Sequence, residues 1–248
     1  MPAKRRSSPA SSQLRGKVAL ITGANRGIGL AIARALASEG CNLVITARDE
    51  PTLKKTGREL ARLKVRVLVH ACDVRDPVSV KTLLAAAERQ FHRQDILINN
   101  AGIAHPGQNV DKLPFESWLE VIDTNLNALF LVTHAALPLM KRGSAVVNNL
   151  SIAAKRVFAG SSAYNASKHG ALGFTNTLRE ELRSQGIRVI ALVAGATDTE
   201  IWNTLWPQAP RNKMMSPQTV AVAVVNALKL PLESTMEEVV ILPTAGTL

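Results

Sequence analysis

The sequence predicts an α/β fold in which helices cover both faces of a parallel β-sheet of about seven strands. Short apolar runs rich in β-branched residues alternate with longer amphipathic stretches along the chain. The runs are predominantly apolar, as in strands that are buried on both faces. A glycine-rich turn joins the first run to the first amphipathic stretch, which is typical of a doubly wound sheet. At 248 residues, of which 46% are hydrophobic, the chain can bury one sizeable core.

The predicted elements follow one another in strict alternation. In chain order, the strand-like runs are Lys17–Thr22, Asn42–Ala47, Val65–His70, Ile96–Asn99, Ala145–Leu150, Ile187–Val193 and Val239–Leu242. The amphipathic stretches between them lie near 27–39, 51–63, 77–92, 115–141, 161–185 and 217–229. Apolar runs separated by helices favour a parallel sheet over an antiparallel one. The order therefore predicts a single Rossmann-type, doubly wound domain.

Two segments fall outside this alternation. Residues 1–14 are basic and rich in serine, and we expect a disordered leader there, with the domain occupying residues 15–248. Residues 200–216 contain two tryptophans, two methionines and two prolines between the sixth strand and the last helix. An irregular insertion of this kind often covers a binding site. We predict a substrate lid over residues 200–216.

The bulk composition narrows the class of protein. We find no apolar run long enough to cross a membrane and no apolar stretch typical of a secretory signal in the first residues. Cys41 and Cys72 lie outside metal or redox spacings and suit a reduced, cytoplasmic protein. The net charge of +11 suits a surface that attracts an anionic cofactor, and no DNA- or RNA-recognition motif accompanies it. Anion or nucleic-acid binding by the leader is a separate hypothesis, which deletion of residues 1–15 would test.

The glycine-rich turn follows the first strand directly and reads Thr22-Gly23-Ala24-Asn25-Arg26-Gly27-Ile28-Gly29. Glycines there permit a tight turn and let the backbone approach a pyrophosphate at the N-terminus of the helix. A P-loop would need a Gly-Lys-Ser/Thr sequence, which is missing. A turn that binds no ligand is the alternative, and the position in the first strand–helix unit favours a dinucleotide.

The end of the second strand determines which dinucleotide we expect. An acidic residue at this position would hold the adenosine ribose hydroxyls of NAD. If Ala47 is the last residue of the strand, Arg48 instead faces the place of the 2′-phosphate of NADP. Arg26 in the glycine turn would supply a second guanidinium to the same group. Asp49, one residue later, keeps NAD as the minority alternative, and we predict NADP.

A second polar cluster lies near the fifth strand and the helix after it. Tyr164 and Lys168 are four residues apart, which places them on one face of a helix, and Ser151 lies upstream. A free phenol titrates at about pH 10, and a cation one turn away is expected to lower its pKa. A serine hydroxyl nearby could fix a substrate oxygen against the phenol. The pattern predicts acid–base chemistry at Tyr164.

With these motifs in order, the chain resembles the short-chain dehydrogenase/reductase family over residues 14–248. The matching segments are Thr22–Gly29 for the cofactor loop, Asp73-Val74 for the adenine contact and Asn99-Asn100-Ala101-Gly102 beside the cofactor. The residues that match the catalytic tetrad in order and approximate spacing are Asn125, Ser151, Tyr164 and Lys168. The resemblance implies an NADP-dependent oxidoreductase that interconverts a carbonyl and a secondary alcohol by hydride transfer.

The resemblance also implies a role for each residue. Tyr164 would be the general acid in reduction and the general base in oxidation, and Ser151 would bind the substrate carbonyl oxygen. Lys168 would lower the pKa of the phenol and bind the nicotinamide ribose, while Asn125 would hold a water for a proton relay. The residues expected to bind the cofactor are Gly23, Asn25, Arg26, Gly27, Ile28, Gly29, Arg48, Asp73, Val74, Asn100, Ala101, Gly102, Tyr164, Lys168, Gly195, Thr197 and Thr199.

Two motifs depart from the family's pattern. Ala194 precedes Gly195 where the family usually has proline, which removes a fixed φ angle and is expected to loosen this loop. Thr199 still falls where a threonine would bind the carboxamide. Asn149-Leu150-Ser151 stands where the family usually has an apolar residue and two serines. We interpret both changes as tuning and not as loss of the cofactor.

The substrate and the partners are defined less narrowly. Trp202, Trp206 and His105 are candidates for the substrate pocket, with plain packing or a surface loop as alternatives. No spacing of His or Cys predicts a metal. The resemblance implies a small-molecule substrate and a homodimer or homotetramer built on helices 115–141 and 161–185, without membrane or specific nucleic acid. A catalytically silent dinucleotide-binding sensor or scaffold is the alternative function, since it would need the glycine turn but not the tetrad.

Overall fold

The computed structural model describes residues 13–246, and its centre is a parallel sheet. The strands are β1 (Val18–Thr22), β2 (Asn42–Ala47), β3 (Val67–Ala71), β4 (Ile96–Asn99), β5 (Ala145–Asn149), β6 (Arg188–Ala194) and β7 (Glu238–Ile241). Their order across the sheet is β3-β2-β1-β4-β5-β6-β7, and every neighbouring pair is parallel. The predicted doubly wound sheet is confirmed, with strand ends shifted by two residues at most.

Helices cover both faces of this sheet. They are α1 (Gly27–Ser38), α2 (Glu50–Ala61), α3 (Pro77–Phe91), α4 (Phe115–Ile122), α5 (Ala128–Ala136), α6 (Ser162–Arg183), α7 (Trp202–Leu205) and α8 (Pro217–Leu228). Helices α1, α2 and α8 bury their apolar sides against one face, and α3, α5 and α6 bury theirs against the other. The predicted helix 115–141 is divided into α4, a π-helical turn (Asp123–Asn127), α5 and a short 3₁₀ turn.

The central strands are mostly apolar because both of their faces are covered. In β2, Leu43 and Ile45 point into the core beneath α1, whereas Val44 points into the core beneath α3. Successive side chains of a strand face opposite sides, so that a strand covered on both sides needs mostly apolar residues. Leu14 is also buried in the first core, and its carbonyl accepts a hydrogen bond from Cys41. The domain therefore begins before the predicted boundary at residue 15, while residues 1–12 of the predicted leader lie outside the described residues.

The strand order places a crevice at the carboxyl edge of the sheet. The chain runs outward from β1 through β2 to β3 and then crosses back, so that β4 lies on the other side of β1. At such a switch point the loops after the two central strands separate, and ligands bind between them. The glycine turn follows β1, and the Asn100–Gly102 segment follows β4. No helix in residues 13–246 is long and apolar enough to cross a bilayer.

Candidate active site

A cavity of about 1100 Å³ opens at the carboxyl edge of the sheet. Its wall is formed by the segments that follow β1 to β6 and by the first turns of α6. The predicted site residues in this wall are Gly23, Asn25, Arg26, Gly27, Ile28, Arg48, Asp73, Val74, Asn100, Ala101, Gly102, Ser151, Tyr164, Lys168, Gly195, Thr197, Thr199, Trp202 and Trp206. Folding thus brings segments from almost the whole length of the chain to one cavity.

The glycine turn is a cradle that side chains would fill. Gly23 and Gly27 have positive φ angles of 62° and 54°, which L-residues with a side chain rarely adopt. A Cβ atom on Gly29 would lie 2.3 Å from the carbonyl oxygen of Gly23 and 2.4 Å from Nδ2 of Asn100. Gly29 itself lies behind the cavity wall, where it allows α1 to begin directly beneath the turn. The backbone of this turn fits a bound pyrophosphate.

Hydrogen bonds from the segment after β4 fix the glycine turn. The hydroxyl oxygen of Thr22 accepts from the backbone N–H groups of Asn100 and Ala101, both at 2.9 Å. The side-chain amide of Asn100 donates to the carbonyl oxygens of Thr22 at 2.9 Å and Gly23 at 3.2 Å. These bonds join the two sides of the crevice, so that the turn is rigid before any ligand binds.

The prediction of NADP requires that β2 ends at Ala47, and the structure has this end. Ala47 is the last residue of the strand, and Arg48 follows it in the cavity wall. Arg48 and Arg26 are exposed, and their guanidinium groups form no hydrogen bond or ion pair with the described residues. Asp49 instead caps the N-terminus of α2, where its carboxylate accepts from the backbone N–H and the hydroxyl of Thr52. These hydrogen bonds, together with the charge of Arg26, lower the pKa of Asp49.

The segment after β3 contains an arginine that the sequence analysis did not single out. Arg75 donates to both carboxylate oxygens of Asp73, with Nε 3.0 Å from Oδ1 and Nη2 2.7 Å from Oδ2. This pairing lowers the pKa of Asp73, and Arg75 also lies 3.4 Å from Glu120 of α4. The spacing Asp-x-Arg after a strand was the available signal. Arg75 holds the predicted adenine contact in a fixed orientation.

Ser151, Tyr164 and Lys168 meet at the inner end of the cavity. Ser151 follows β5, and its side-chain oxygen accepts from the backbone N–H of Ala153 at 3.1 Å. Lys168 lies one turn after Tyr164 on α6, with Nζ 5.6 Å from the centre of the phenol ring. Burial raises the pKa of the Tyr164 phenol, and a hydrogen bond with Ser151 lowers it in part. The phenol is therefore protonated at neutral pH.

The ammonium group of Lys168 does not have the expected effect on the phenol. Its Nζ donates to the carbonyl oxygen of Asn149 at 3.1 Å, and the residue is only 6% exposed. Burial lowers the pKa of Lys168 to about 8. Burial dominates the phenol, so that the pKa of Tyr164 is raised, in the opposite direction to the lowering that we predicted from Lys168. The sequence spacing predicted that the phenol and the ammonium lie close together, but it did not predict that both are shielded from water.

Asn125 lies behind the cavity wall and not in it. Its amide group accepts from the backbone N–H of Ile103 at 2.9 Å and donates to the carbonyl oxygen of the same residue at 2.9 Å. It also donates to the hydroxyl of Ser167 at 3.1 Å, and that hydroxyl donates to the carbonyl oxygen of Tyr164. The side chain is thus engaged by protein atoms, whereas the sequence analysis expected it to hold a water. In the structure it links the loop after β4 to α6.

Asn149 is a second wall residue that the sequence analysis did not assign to the site. Its side-chain amide donates to Oδ1 of Asn100 at 2.9 Å, and its backbone carbonyl accepts from Lys168. It therefore connects the acid–base cluster to the residue that fixes the glycine turn. The departure of the Asn149-Leu150-Ser151 segment from the family's pattern was the available signal, and a sequence comparison alone does not show which neighbour the amide meets.

The loop after β6 is held firmly although it lacks the usual proline. The backbone N–H of Gly195 donates to Ile241 at 2.8 Å, and the hydroxyl of Thr197 donates to the carbonyl oxygen of Gly195 at 3.0 Å. Thr197 also pairs with Met215 in a short parallel bridge. These bonds connect the loop to β7 and to the segment before α8, and the looser loop expected from Ala194 stays a prediction. Thr199 lies over the glycine turn, 3.2 Å from where a Cβ of Gly27 would be.

The predicted lid packs over the same cavity. The indole N–H of Trp202 donates to the carbonyl oxygen of Thr197 at 2.9 Å, and Trp206 lies beside it with ring centres 6.5 Å apart. Arg211 binds the lid to its base through the carbonyl oxygen of Thr199 and the side chain of Asn203, both at 2.7 Å. The segment is thus an ordered cover in which both indole rings form part of the cavity wall.

His105 is not placed in the cavity wall. The residue is buried, and its Nδ1 lies 2.7 Å from the carbonyl oxygen of Pro106, which orients the ring within its own loop. The predicted substrate contact at His105 is therefore absent in this structure. Among the described residues, no group of three or more His, Cys, Asp and Glu side chains is arranged to hold a metal ion.

Comparison with known proteins agrees with this geometry. The family model for short chain dehydrogenase matches residues 17–210. A putative ketoacyl reductase of the granaticin polyketide synthase from Streptomyces violaceoruber is 41% identical over 186 residues, which are 73% of this chain and 68% of the relative.

Two solved structures show the same fold with a nicotinamide dinucleotide bound. An alcohol dehydrogenase from the archaeon Thermococcus sibiricus in complex with 5-hydroxy-NADP has a TM-score of 0.87 at 32% identity, over 93% of this chain and 97% of that one. A 3-ketoacyl-(acyl-carrier-protein) reductase from Brucella melitensis in complex with NADH has a TM-score of 0.84 at 28% identity, over 94% and 99%. Similar proteins thus occur with either dinucleotide.

Proposed function

Because the chain belongs to the short-chain dehydrogenase family and is a nicotinamide-dependent oxidoreductase, we propose that it uses NADP(H) to interconvert a carbonyl compound and a secondary alcohol. The observation that carries the proposal is one continuous cavity with two different ends. One end has the glycine turn with two unpaired guanidinium groups, and the other has Ser151, Tyr164 and Lys168. The first end suits a phosphorylated dinucleotide, and the second suits proton transfer to an oxygen atom.

The residues of this chain have separate tasks in the proposed reaction. A bound nicotinamide dinucleotide supplies or accepts the hydride. Ser151 donates a hydrogen bond to the substrate oxygen and holds it beside the phenol of Tyr164. Tyr164 gives its proton to that oxygen as negative charge develops there, and it takes the proton back in the oxidation direction. The raised pKa of the buried phenol keeps it protonated at neutral pH, as an acid in the reduction direction must be.

Lys168 and Asn125 act around the phenol and not on the substrate oxygen. In the proposed complex the ammonium of Lys168 binds ribose hydroxyls of the dinucleotide, and its positive charge stabilises the phenolate left after proton transfer. Asn125 holds the Ile103 backbone and, through Ser167, the first turns of α6. It is therefore a positioning residue for the tyrosine.

The choice of NADP rests on the charges at the end of β2. Arg48 and Arg26 are exposed and unpaired within residues 13–246, whereas Asp49 is engaged by Thr52 as a helix cap. A 2′-phosphate would meet two free guanidinium groups, each able to form forked, charge-assisted hydrogen bonds. The ribose hydroxyls of NAD would meet no free carboxylate at this position.

Turnover of NADPH with a panel of ketones and aldehydes tests the reaction. We expect oxidation of NADPH by the wild-type protein and a loss of at least about 10³-fold in kcat for Tyr164→Phe, because the proton donor is removed. Binding of NADPH, measured by fluorescence, should remain within about threefold in this variant. Equal turnover by Tyr164→Phe would refute the assigned role, and retained biological function without turnover would favour a silent sensor.

Dinucleotide affinity tests the cofactor. We expect Arg48→Asp to weaken NADPH binding by about 10- to 100-fold, since a hydrogen bond to a charged group contributes roughly 1.5–3 kcal/mol. NADH binding should be unchanged or stronger. Lys81→Asp, which makes the same change of charge on the exposed surface of α3, is the control and should leave both affinities unchanged. Preference for NADH in the wild-type protein would overturn the assignment.

A further inference from the structure

The positive charges of the cavity wall are confined to one part of it. Among the described residues, the cationic wall residues are Arg26, Arg48, Arg75 and Lys168. The three arginines follow β1, β2 and β3, where the adenosine half of a dinucleotide would lie. Lys168 is bound to the carbonyl oxygen of Asn149 beside the phenol. None of these four groups faces the part of the cavity beyond Ser151 and beneath the lid.

That outer part of the wall is mostly apolar, with Ser161, Asn203 and Thr204 as polar members, and it carries no cation among the described residues. Its apolar members are Ile103, Ala104, Leu150, Ile152, Ala153, Phe158, Ala159, Ile201, Trp202, Leu205 and Trp206. Lys155 follows Ser151 closely, but it forms an ion pair with Glu238 and is not part of the wall. The carboxylate of Glu200, at the base of the lid, lies over the glycine turn instead, 3.8 Å from where a Cβ of Gly27 would be. An anionic substrate would lose its hydration here without gaining a counter-charge.

The lid presents aromatic surface to the same region. The indole N–H of Trp202 is used by the carbonyl oxygen of Thr197, so that its ring offers only carbon surface to a ligand. Trp206 is 44% exposed, and its ring is tilted by 59° from that of Trp202. Aromatic rings pack in offset or tilted arrangements, and each buries a large apolar area. A ring-bearing ligand beneath the lid would cover the exposed face of Trp206.

We propose that the substrate is a neutral carbonyl compound that carries an apolar ring, and that Trp206 selects it. This inference rests on the proposed function, since the carbonyl must lie at Ser151 and Tyr164. The carbonyl oxygen binds at the serine and the phenol, and the ring lies between Trp206 and the apolar wall. Carboxylates, sulfonates and phosphates are excluded by charge.

Two matched pairs of ketones test the substrate class with wild-type protein and NADPH. Ethyl acetoacetate and acetoacetate share the reacting carbonyl and differ in charge, and 4-phenyl-2-butanone and 2-butanone differ in the ring. We expect kcat/KM to be at least about tenfold higher for the neutral ester than for the acid, and for the phenyl ketone than for 2-butanone. Trp206→Ala should lower the preference for the ring about fivefold or more and leave NADPH affinity unchanged. Phe115→Ala, which removes an exposed aromatic ring outside the cavity, should change neither ratio.

The outcomes separate the inference from the proposed function. Equal or faster reduction of acetoacetate, or an unchanged ring preference in Trp206→Ala, overturns the substrate class and leaves the proposed function in place. A protein that binds NADPH but reduces none of the four ketones overturns both. A loss of ring preference in Trp206→Ala with unchanged NADPH affinity supports the inference, because a variant that merely misfolds would lose both.

Discussion

Replacing Lys168 by methionine is expected to stabilise the protein in the absence of a dinucleotide. The lysine is 6% exposed, and burial lowers its pKa from 10.5 to about 8. Keeping the ammonium charged in the folded state therefore costs desolvation free energy, whereas in the unfolded chain the same group stays in water. Methionine has a similar length and no charge, so that the variant removes this cost and keeps most of the packing.

The magnitude and its pH dependence follow from the two pKa values. Below about pH 8 the lysine is protonated in both states, and the full cost of burying its charge is present. Between pH 8 and 10.5 the folded protein has lost this proton while the unfolded chain keeps it, so that wild-type stability rises with pH. The difference corresponds to roughly 3 kcal/mol at neutral pH. Loss of the hydrogen bond to Asn149 costs about 1 kcal/mol, which leaves a gain of about 2 kcal/mol.

Thermal denaturation followed by circular dichroism, without dinucleotide, measures this effect. At pH 6.5 we expect the Tm of Lys168→Met to exceed that of the wild-type protein by about 5 °C, and the difference should shrink as the pH rises towards 10. Lys81→Met, on the exposed surface of α3, is the control and should shift Tm by less than about 1 °C. A lower Tm for Lys168→Met at pH 6.5, or a difference that does not change with pH, would refute the reasoning.

Three further variants test the architecture of the site. Gly29→Ala should abolish measurable NADPH binding and cost about 1–3 kcal/mol of stability, because the added methyl group would meet the carbonyl oxygen of Gly23 at 2.3 Å. Asn149→Leu should weaken NADPH binding about tenfold in a fluorescence titration, since Asn100 loses its partner and the glycine turn loses support. Arg211→Gln should make the lid more sensitive to chymotrypsin, which can cleave after Trp202, because the bonds that hold the lid to its base are removed.

Matched controls distinguish these effects from a general loss of folding. Gly173→Ala places a methyl group on α6 where nothing lies within 4 Å, so it should keep wild-type affinity and raise stability by up to about 1 kcal/mol. Asn42→Leu removes a hydrogen-bonded asparagine at the amino end of β2, far from the cavity, and should lower stability without weakening NADPH binding. Wild-type affinity in Gly29→Ala or in Asn149→Leu, or unchanged chymotrypsin cleavage in Arg211→Gln, would contradict the corresponding assignment.

The sequence predicted the strands of the sheet well because the apolar residues that mark a buried strand are its own residues. Strands buried on both faces have few polar positions, and this property can be read along the chain without knowledge of the neighbours. The register at the end of β2 is a similar case, since it needs only the last apolar residue, Ala47. The division of the predicted helix 115–141 could not be predicted in this way. Its π-helical turn depends on contacts that Asn125 makes with a distant loop.

The positions of the site residues could be predicted from the sequence better than their pKa values and their hydrogen-bond partners. Helical spacing brings Lys168 beside Tyr164, but the direction of each pKa depends on how much water the surrounding segments exclude. Asn149 was missed because its amide–amide bond with Asn100 depends on which strands are neighbours, whereas Arg75 was missed although its partner, Asp73, lies only two residues away. Two residues at the ends of β4 and β5 become partners only after the strand order is known.

The order of the strands also determines when the sheet can form during synthesis on the ribosome. The bond between Asn100 and Thr22 joins residues that are 78 positions apart, and β1 has β4 as its neighbour on one side. A nascent chain that ends before β4 has an open edge on its first strand and an unsupported glycine turn. Closing this long loop is slow compared with pairing of adjacent segments. The ribosome must therefore release at least the first hundred or so residues before the dinucleotide could act as a ligand that promotes folding.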